Sequence, residues 1–160
     1  MNVINFWRRT MSARNSAKAV VINNGKLLVN RCRSRFGDYY TLPGGGQRTG
    51  EMLPETVKRE LLEETGYSVT PIRLSGIYER LSGARDDGQN HKIYFIFLCR
   101  LDSGDRLPPT ETDRYQEGIE WIPLKEVASR NLFPRAIRDN MRSLTGYGET
   151  IYIGSERDRR

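Results

Sequence analysis

Three glutamates, Glu60, Glu63 and Glu64, fall within five residues of a stretch that reads LPGGGQRTGEMLPETVKRELLEETGY from Leu42 to Tyr67. Like charges three or four positions apart destabilise a helix by roughly 0.2–0.5 kcal/mol per pair, so the crowding calls for a partner that relieves it. At about 100° per residue, Leu53, Val57 and Leu61 fall within about 80° of one another, and the three glutamates occupy an arc of about 100° adjoining that apolar stripe. The carboxylates therefore sit at the edge of the buried side, where an unpaired charge is costly. A divalent cation resolves the conflict, because Mg2+ takes carboxylate oxygens and keeps waters for a phosphate partner. Arg59, four residues before Glu63, is placed to hold a carboxylate in a fixed orientation. The run Gly44-Gly45-Gly46 permits unusual backbone angles and lets main-chain carbonyls or amides come close to a metal or phosphate. Taken singly, an EELL-type run is an ordinary solvated helix face and a triple glycine an ordinary turn. Their combination points to chemistry.

These residues need a helix over 53–65, and the local signals supply one. Pro54 is tolerated in its first turn and Gly66 serves as its C-terminal stop. Upstream, residues 17–33 read as a hairpin. Its strand-like runs are Ala19 to Ile22 and Leu27 to Val29, and its turn is Asn23-Asn24-Gly25. Tyr39 to Leu42 reads as a short strand ended by Pro43 and the glycines. Downstream, Val69 to Leu81 is extended but broken by Pro71 and Gly76, and His91 to Leu101 is bulky and apolar enough to be a central strand. Gly118 to Ile122 reads as a strand, Pro123 to Arg130 as a short helix, Phe133 to Leu144 as a second helix, and TIYIGS as an edge strand or an irregular tail. Strands and helices mix without strict alternation, which predicts an α+β fold or an α-β-α sandwich around a mixed sheet.

Gly45, Glu51, Arg59-Glu60-Leu61, Glu63-Glu64 and Gly66 stand at the spacing of the Nudix box, and on these residues the chain resembles the Nudix hydrolases. Tyr67 departs from the pattern, which usually ends on an aliphatic residue, but that position packs rather than reacts. The flanking hairpin, long strand and C-terminal helix extend the resemblance over residues 17–145, within one domain spanning 1–160. The resemblance implies a mixed sheet between helices. It also implies Mg2+- or Mn2+-dependent hydrolysis of a diphosphate bond in a nucleoside diphosphate linked to another group. It makes Glu60 and Glu64 the main metal ligands and Glu63 a further ligand or the general base. The Gly44 carbonyl becomes an added ligand, and Glu51 with Arg59 the pair that positions the glutamates. Glu117, just before the strand EGIEWIP, is the candidate for an extra ligand or base, with a solvated loop carboxylate as the alternative. Arg48 stands where many members are acidic; it reads as a phosphate contact or, preferentially, as a solvated loop residue.

The leaving group is set outside the box. Arg31 and Arg33, which share a strand face with Arg35, are candidates for phosphate or sugar contacts, though solvated arginines are the commoner case. Tyr39 is a candidate for stacking on a base, with core packing as the alternative. His91, the only histidine, is expected to have a structural or surface role rather than a catalytic one. The proline that ADP-ribose pyrophosphatases of this family often carry beyond the box is missing, since no proline occurs between Pro71 and Pro108. A nucleotide sugar or related nucleotide is therefore the first expectation. Nucleoside triphosphate cleanup or RNA 5′-pyrophosphohydrolysis is the alternative, and a non-catalytic nucleotide sensor ranks below both. The net charge of +6 suits an anionic substrate. Much of the excess lies near the ends, and no aromatic-plus-basic array is evident, so a nucleic-acid partner is not favoured. Cys32 and Cys99 belong to no metal-ligand pattern and are expected to be reduced and buried. No apolar run approaches the ~20 residues of a membrane span. A cytoplasmic enzyme is expected, with a homodimer exchanging the INFWRR segment as a further expectation.

Overall fold

The computed structural model describes residues 13–81 and 91–156. The INFWRR segment and residues 82–90 (SGARDDGQN) lie outside the described residues. Strands β1 (Arg14–Asn23) and β2 (Lys26–Ser34) form the expected hairpin, with Asn24 and Gly25 both at positive φ in the turn. β3 (Gly37–Thr41) turns back against β2. Helix α1 (Leu53–Thr65) follows the glycine run, and then come β4 (Val69–Arg80), β5 (Lys92–Leu101) and β6 (Gln116–Pro123). A 3-10 turn over Leu124–Ser129, β7 (Leu132–Phe133), α2 (Arg135–Asp139), α3 (Met141–Thr145) and β8 (Ile151–Gly154) complete the chain.

The strands join in one curled mixed sheet in the order β7-β3-β2-β1-β5-β4-β8, with β6 on the other edge of β2. β5 is central, as its apolar middle requires: it runs parallel to β1 and antiparallel to β4. Two apolar clusters lie on the two faces. Val57 and Leu61 of α1 pack with Ala17, Ala19, Val21, Leu28 and Phe97 on one. Ile137, Met141 and Leu144 of α2 and α3 pack with Val20, Leu27, Val29 and Ile96 on the other. The result is the α-β-α arrangement expected of the sequence. Among the described residues no helix is long and apolar enough to cross a membrane.

Two expectations about elements need correction. β4 is not broken at Pro71 and Gly76. It continues through both, and register shifts beside each take up the irregularity. The helix expected over 133–144 is instead two five-residue helices, because Phe133 pairs with β3 and Asn140 leaves helical geometry between them. The Asn140 amide donates to the Ala136 carbonyl, a local bond that competes with helix continuation.

Candidate active site

Helix α1 is fixed at both ends. The Met52 amide donates to the Glu55 carboxylate (2.7 Å) at its start. At its end Gly66 adopts the left-handed conformation and its amide returns to the Leu62 carbonyl (3.0 Å). Burying Val57 and Leu61 completely is worth roughly 1.5–3 kcal/mol each, far more than the repulsion among three glutamates. The apolar stripe therefore decides how the helix docks, and the carboxylates must accept where that puts them.

The glycine run is held against β1. The Ala17 and Ala19 amides donate to the carbonyls of Gly45 and Pro43 (2.9 Å each). Two of the three consecutive carbonyls thus face the strand, and that of Gly44 accepts from the Lys18 ammonium instead. A Cβ on Gly44, at φ 126°, would strike the Ala17 carbonyl, and one on Gly45 would strike the Glu60 carboxylate. Position 44 must be glycine for the loop and strand to approach this closely, and a side chain at position 45 would have to move Glu60 aside.

Arg59 gathers the carboxylates. Its Nε and Nη2 hold Glu51 (2.7 and 2.9 Å), and its Nη1 donates to both Glu60 (2.7 Å) and Glu63 (3.0 Å). The Arg59 fork holds the Glu51 carboxyl well below the usual range, down to about 2, and the Glu51 charge in turn raises the Arg59 pKa. Thr56 and the Arg48 amide also donate to Glu51. Beneath this layer lies Glu64, only 4% exposed. Its Oε2 accepts from the Gly44 amide and from the Asn30 side chain (2.8 Å each). Burial pushes the Glu64 carboxyl up, and the Lys18 charge and these two donors pull it partly back.

The sequence placed Gly44, Glu51, Arg59, Glu60, Glu63 and Glu64 together, and in the structure they meet. Arg48 meets them too, at 3.3 Å from Glu63. Arg31, Arg33 and Glu117 do not. Along β2, Leu28 and Asn30 face α1, so Arg31 and Arg33 point to the other side of the sheet. There Arg33 binds Asp38 (2.8 Å) and lies 3.5 Å from Glu117. Glu117 is the extra residue where β6 slips register against β2, and that bulge turns its carboxylate to Arg33 rather than to the glutamate cluster. Tyr39, paired with Cys32, lies on the α1 side. His91 sits on Glu79 (2.6 Å), and both cysteines are buried and free.

Three residues of the site escaped the sequence reading: Lys18, Asn30 and Gln116. The first two carried a faint signal, as polar interruptions of the apolar runs AKAVV and LLVN. Gln116 carried none. It donates to the Glu64 main-chain carbonyl (3.0 Å) from a distant loop end.

Among the described residues no three acidic, histidine or cysteine side chains converge as a ready-made metal cage. The donor set nevertheless fits a hydrated Mg2+ or Mn2+. Four carboxylates are only partly neutralised here by Arg59, Lys18 and Arg48, and the Gly44 carbonyl beside them is met by Lys18. The buried Oδ1 of Asn30 and Oε1 of Gln116, both next to Glu64, lack any donor. Water ligands of a hard cation would supply those donors.

Residues 13–143 match the family described as NUDIX domain. The chain belongs to the Nudix family. The NAD-capped RNA hydrolase NudC of Vibrio cholerae is 34% identical over 113 residues, 69% of this chain and 38% of that protein. The ADP-ribose pyrophosphatase of Methanocaldococcus jannaschii is 34% identical over 83 residues, 52% of this chain and 47% of that protein. This Nudix chain thus spans less than half the length of either curated relative. A NUDIX hydrolase from Nitrosomonas europaea shares its fold, with a TM-score of 0.67 at 23% identity over 82% of this chain and 88% of that one.

Proposed function

We propose that this Nudix chain hydrolyses a diphosphate bond in a nucleoside diphosphate derivative, with Mg2+ or Mn2+. The observation that carries the reading is the Arg59 fork, which holds Glu51, Glu60 and Glu63 over the buried Glu64 beside the Gly44 carbonyl. Such a cluster is strained by its own charge until a cation joins it, and a diphosphate is the anion that brings further need of that charge. When bound, the divalent ion supplies charge neutralisation and Lewis acidity at phosphorus.

Glu60, Glu64 and the Gly44 carbonyl would hold it. Glu63 would complete the ligand set or take the proton of the attacking water. Glu51 and Arg59 fix the carboxylates in place before substrate arrives, so little reorganisation is left to the reaction itself. Arg48, released from Glu63, is free to meet a substrate phosphate. Tyr39 faces the same side and is assigned to substrate. A nucleotide sugar or related nucleotide is the preferred substrate. Nucleoside triphosphates and RNA 5′ ends come second, and the relative named as an NAD-capped RNA hydrolase keeps the RNA end in view.

The test is turnover with Mg2+ across nucleoside diphosphate sugars, ADP-ribose, dinucleoside polyphosphates, nucleoside triphosphates and 5′-triphosphate RNA. Wild type and a Glu63→Gln, Glu64→Gln double variant are compared. A substrate cleaved by wild type alone supports the reading and names the leaving group. Equal turnover by both forms refutes the site, and nucleotide binding without any turnover favours the sensor.

A further inference from the structure

We propose that the open recess between the β2–β3 turn and Tyr115 is where the nucleobase of the substrate stacks. The proposal rests on the diphosphate-hydrolase reading above and names the part of the substrate which that reading leaves open. The recess holds about 400 Å3 and is lined by Ser34, Arg35, Phe36, Tyr39 and Tyr115.

Its chemistry is unusual for a surface. Phe36 is 85% exposed and Tyr115 is 56% exposed, although neither ring lacks apolar area to bury. Each carries a guanidinium on its face: Arg35 lies 4.6 Å from the Phe36 ring centre, and Arg114 lies 5.7 Å from that of Tyr115. Exposed aromatic faces interleaved with arginine form a stacking platform for bases, which all present a π-face and bring phosphate charge with them. The sequence hid this array because Arg35-Phe36 and Arg114-Tyr115 lie far apart along the chain.

Its position agrees. Asn30, Cys32 and Ser34 alternate onto one face of β2, and Asn30 bonds to Glu64. Tyr39 stands opposite Cys32 on that same face. The recess therefore opens on the glutamate side of the sheet. Four residues of strand at about 3.3 Å each place it roughly 13 Å from the Asn30–Glu64 contact. An extended nucleoside diphosphate covers that span between its bridging oxygen and its base. The two ends are also mechanically joined. The Tyr115 carbonyl accepts from the Arg33 amide (2.9 Å), and the next residue, Gln116, holds the main chain of Glu64. A base seated on Tyr115 is thus registered against the catalytic helix through one residue. Arg35 offers donors to the acceptor atoms on a base edge. The base belongs either to a free nucleotide derivative or to the first nucleotide of an RNA, so both kinds of substrate are assayed.

The test compares wild type with Phe36→Ser, Tyr115→Ser and the double variant, all changes at exposed positions. The readout is kcat/KM for a nucleoside diphosphate derivative, and separately for a 5′-triphosphate RNA, each divided by kcat/KM for ribose 5-diphosphate, a diphosphate without a base. The ratio for whichever substrate is cleaved is expected to fall about ten- to hundredfold in the double variant, mostly through KM, because stacking on one aromatic side chain contributes that much. An unchanged ratio overturns the proposal and leaves the hydrolase reading standing. If wild type cleaves nothing, the hydrolase reading fails and the recess is judged by binding alone. Quenching of tyrosine fluorescence by a nucleoside diphosphate, but not by inorganic pyrophosphate, would then support it. The same quenching in the double variant would overturn it.

Discussion

Lys18 and Glu51 show how single residues set the electrostatics of this site. The Lys18 ammonium occupies the Gly44 carbonyl and lies close enough to Glu64 to lower its pKa. It is a built-in cation at the place where the divalent ion is proposed to bind, so it both relieves the apo protein and opposes the ion. Lys18→Met is therefore expected to lower the melting temperature in EDTA and to tighten Mg2+ binding, measured by calorimetry without substrate. Weaker Mg2+ binding in the variant would show that the lysine assists the ion rather than opposing it. Glu51 makes a separate, pH-linked prediction. Its folded pKa, about 2, lies below the ordinary carboxylate value of about 4.3. A depressed carboxylate contributes stability that is complete above the unfolded pKa and is lost as pH falls through the folded one. Between about pH 4.3 and pH 2, the wild type is expected to lose stability to urea that Glu51→Gln, already without that charge, does not lose. Parallel pH profiles for the two proteins would remove Glu51 from the acid-labile set.

At the scale of elements, what joins α1 to the sheet is a loop with no room for a side chain at positions 44 and 45. A Cβ at position 45 would fall on the Glu60 carboxylate. Gly45→Ala is accordingly expected to displace Glu60 from Arg59 and cost turnover by at least tenfold, the equivalent of about 1.4 kcal/mol, with a smaller effect on melting. Full activity in that variant would mean that Glu60 does not need its observed position. The helix itself was legible residue by residue, because apolar periodicity, Pro54 and Gly66 are local signals, and its ends fell where they were expected. What was not legible depended on which way a strand faces. Arg31 and Arg33 alternate with Asn30 in the sequence, but only the docking of α1 determines which set meets the glutamates. The role of Glu117 was left open for a related reason: a single extra residue in β6 sets where its side chain turns, and bulges leave no mark that the sequence alone reveals. Lys18 and Gln116 reach the site across long separations, and their roles emerge only with the fold.

For the molecule as a whole, the same crowding that is proposed to bind a cation must weaken the protein without one. Glu64 is buried with its carboxyl pKa raised, so the charged form opposes folding at neutral pH. Two neighbouring buried amide oxygens go without donors, and each such group costs about 1–3 kcal/mol. The apolar packing of α1 on β1, with the hydrogen bonds that tie the Gly44 loop to β1, carries that cost. A ligand that binds only the folded state stabilises it by RT ln(1 + [L]/Kd), about 2.7 kcal/mol at a hundred times Kd. Saturating Mg2+ is thus expected to raise the melting temperature by roughly 5–10 °C, given about 2–4 °C per kcal/mol at this chain length. Chelation should reverse the gain. Glu64→Gln supplies the complementary half of the argument. Its amide oxygen can still accept from Gly44 and Asn30, but the buried charge is gone. The variant should melt higher than wild type in EDTA and gain little from Mg2+. If wild type and variant respond alike to the metal, the glutamate helix is not where the cation binds, and the stability deficit of the site has some other use.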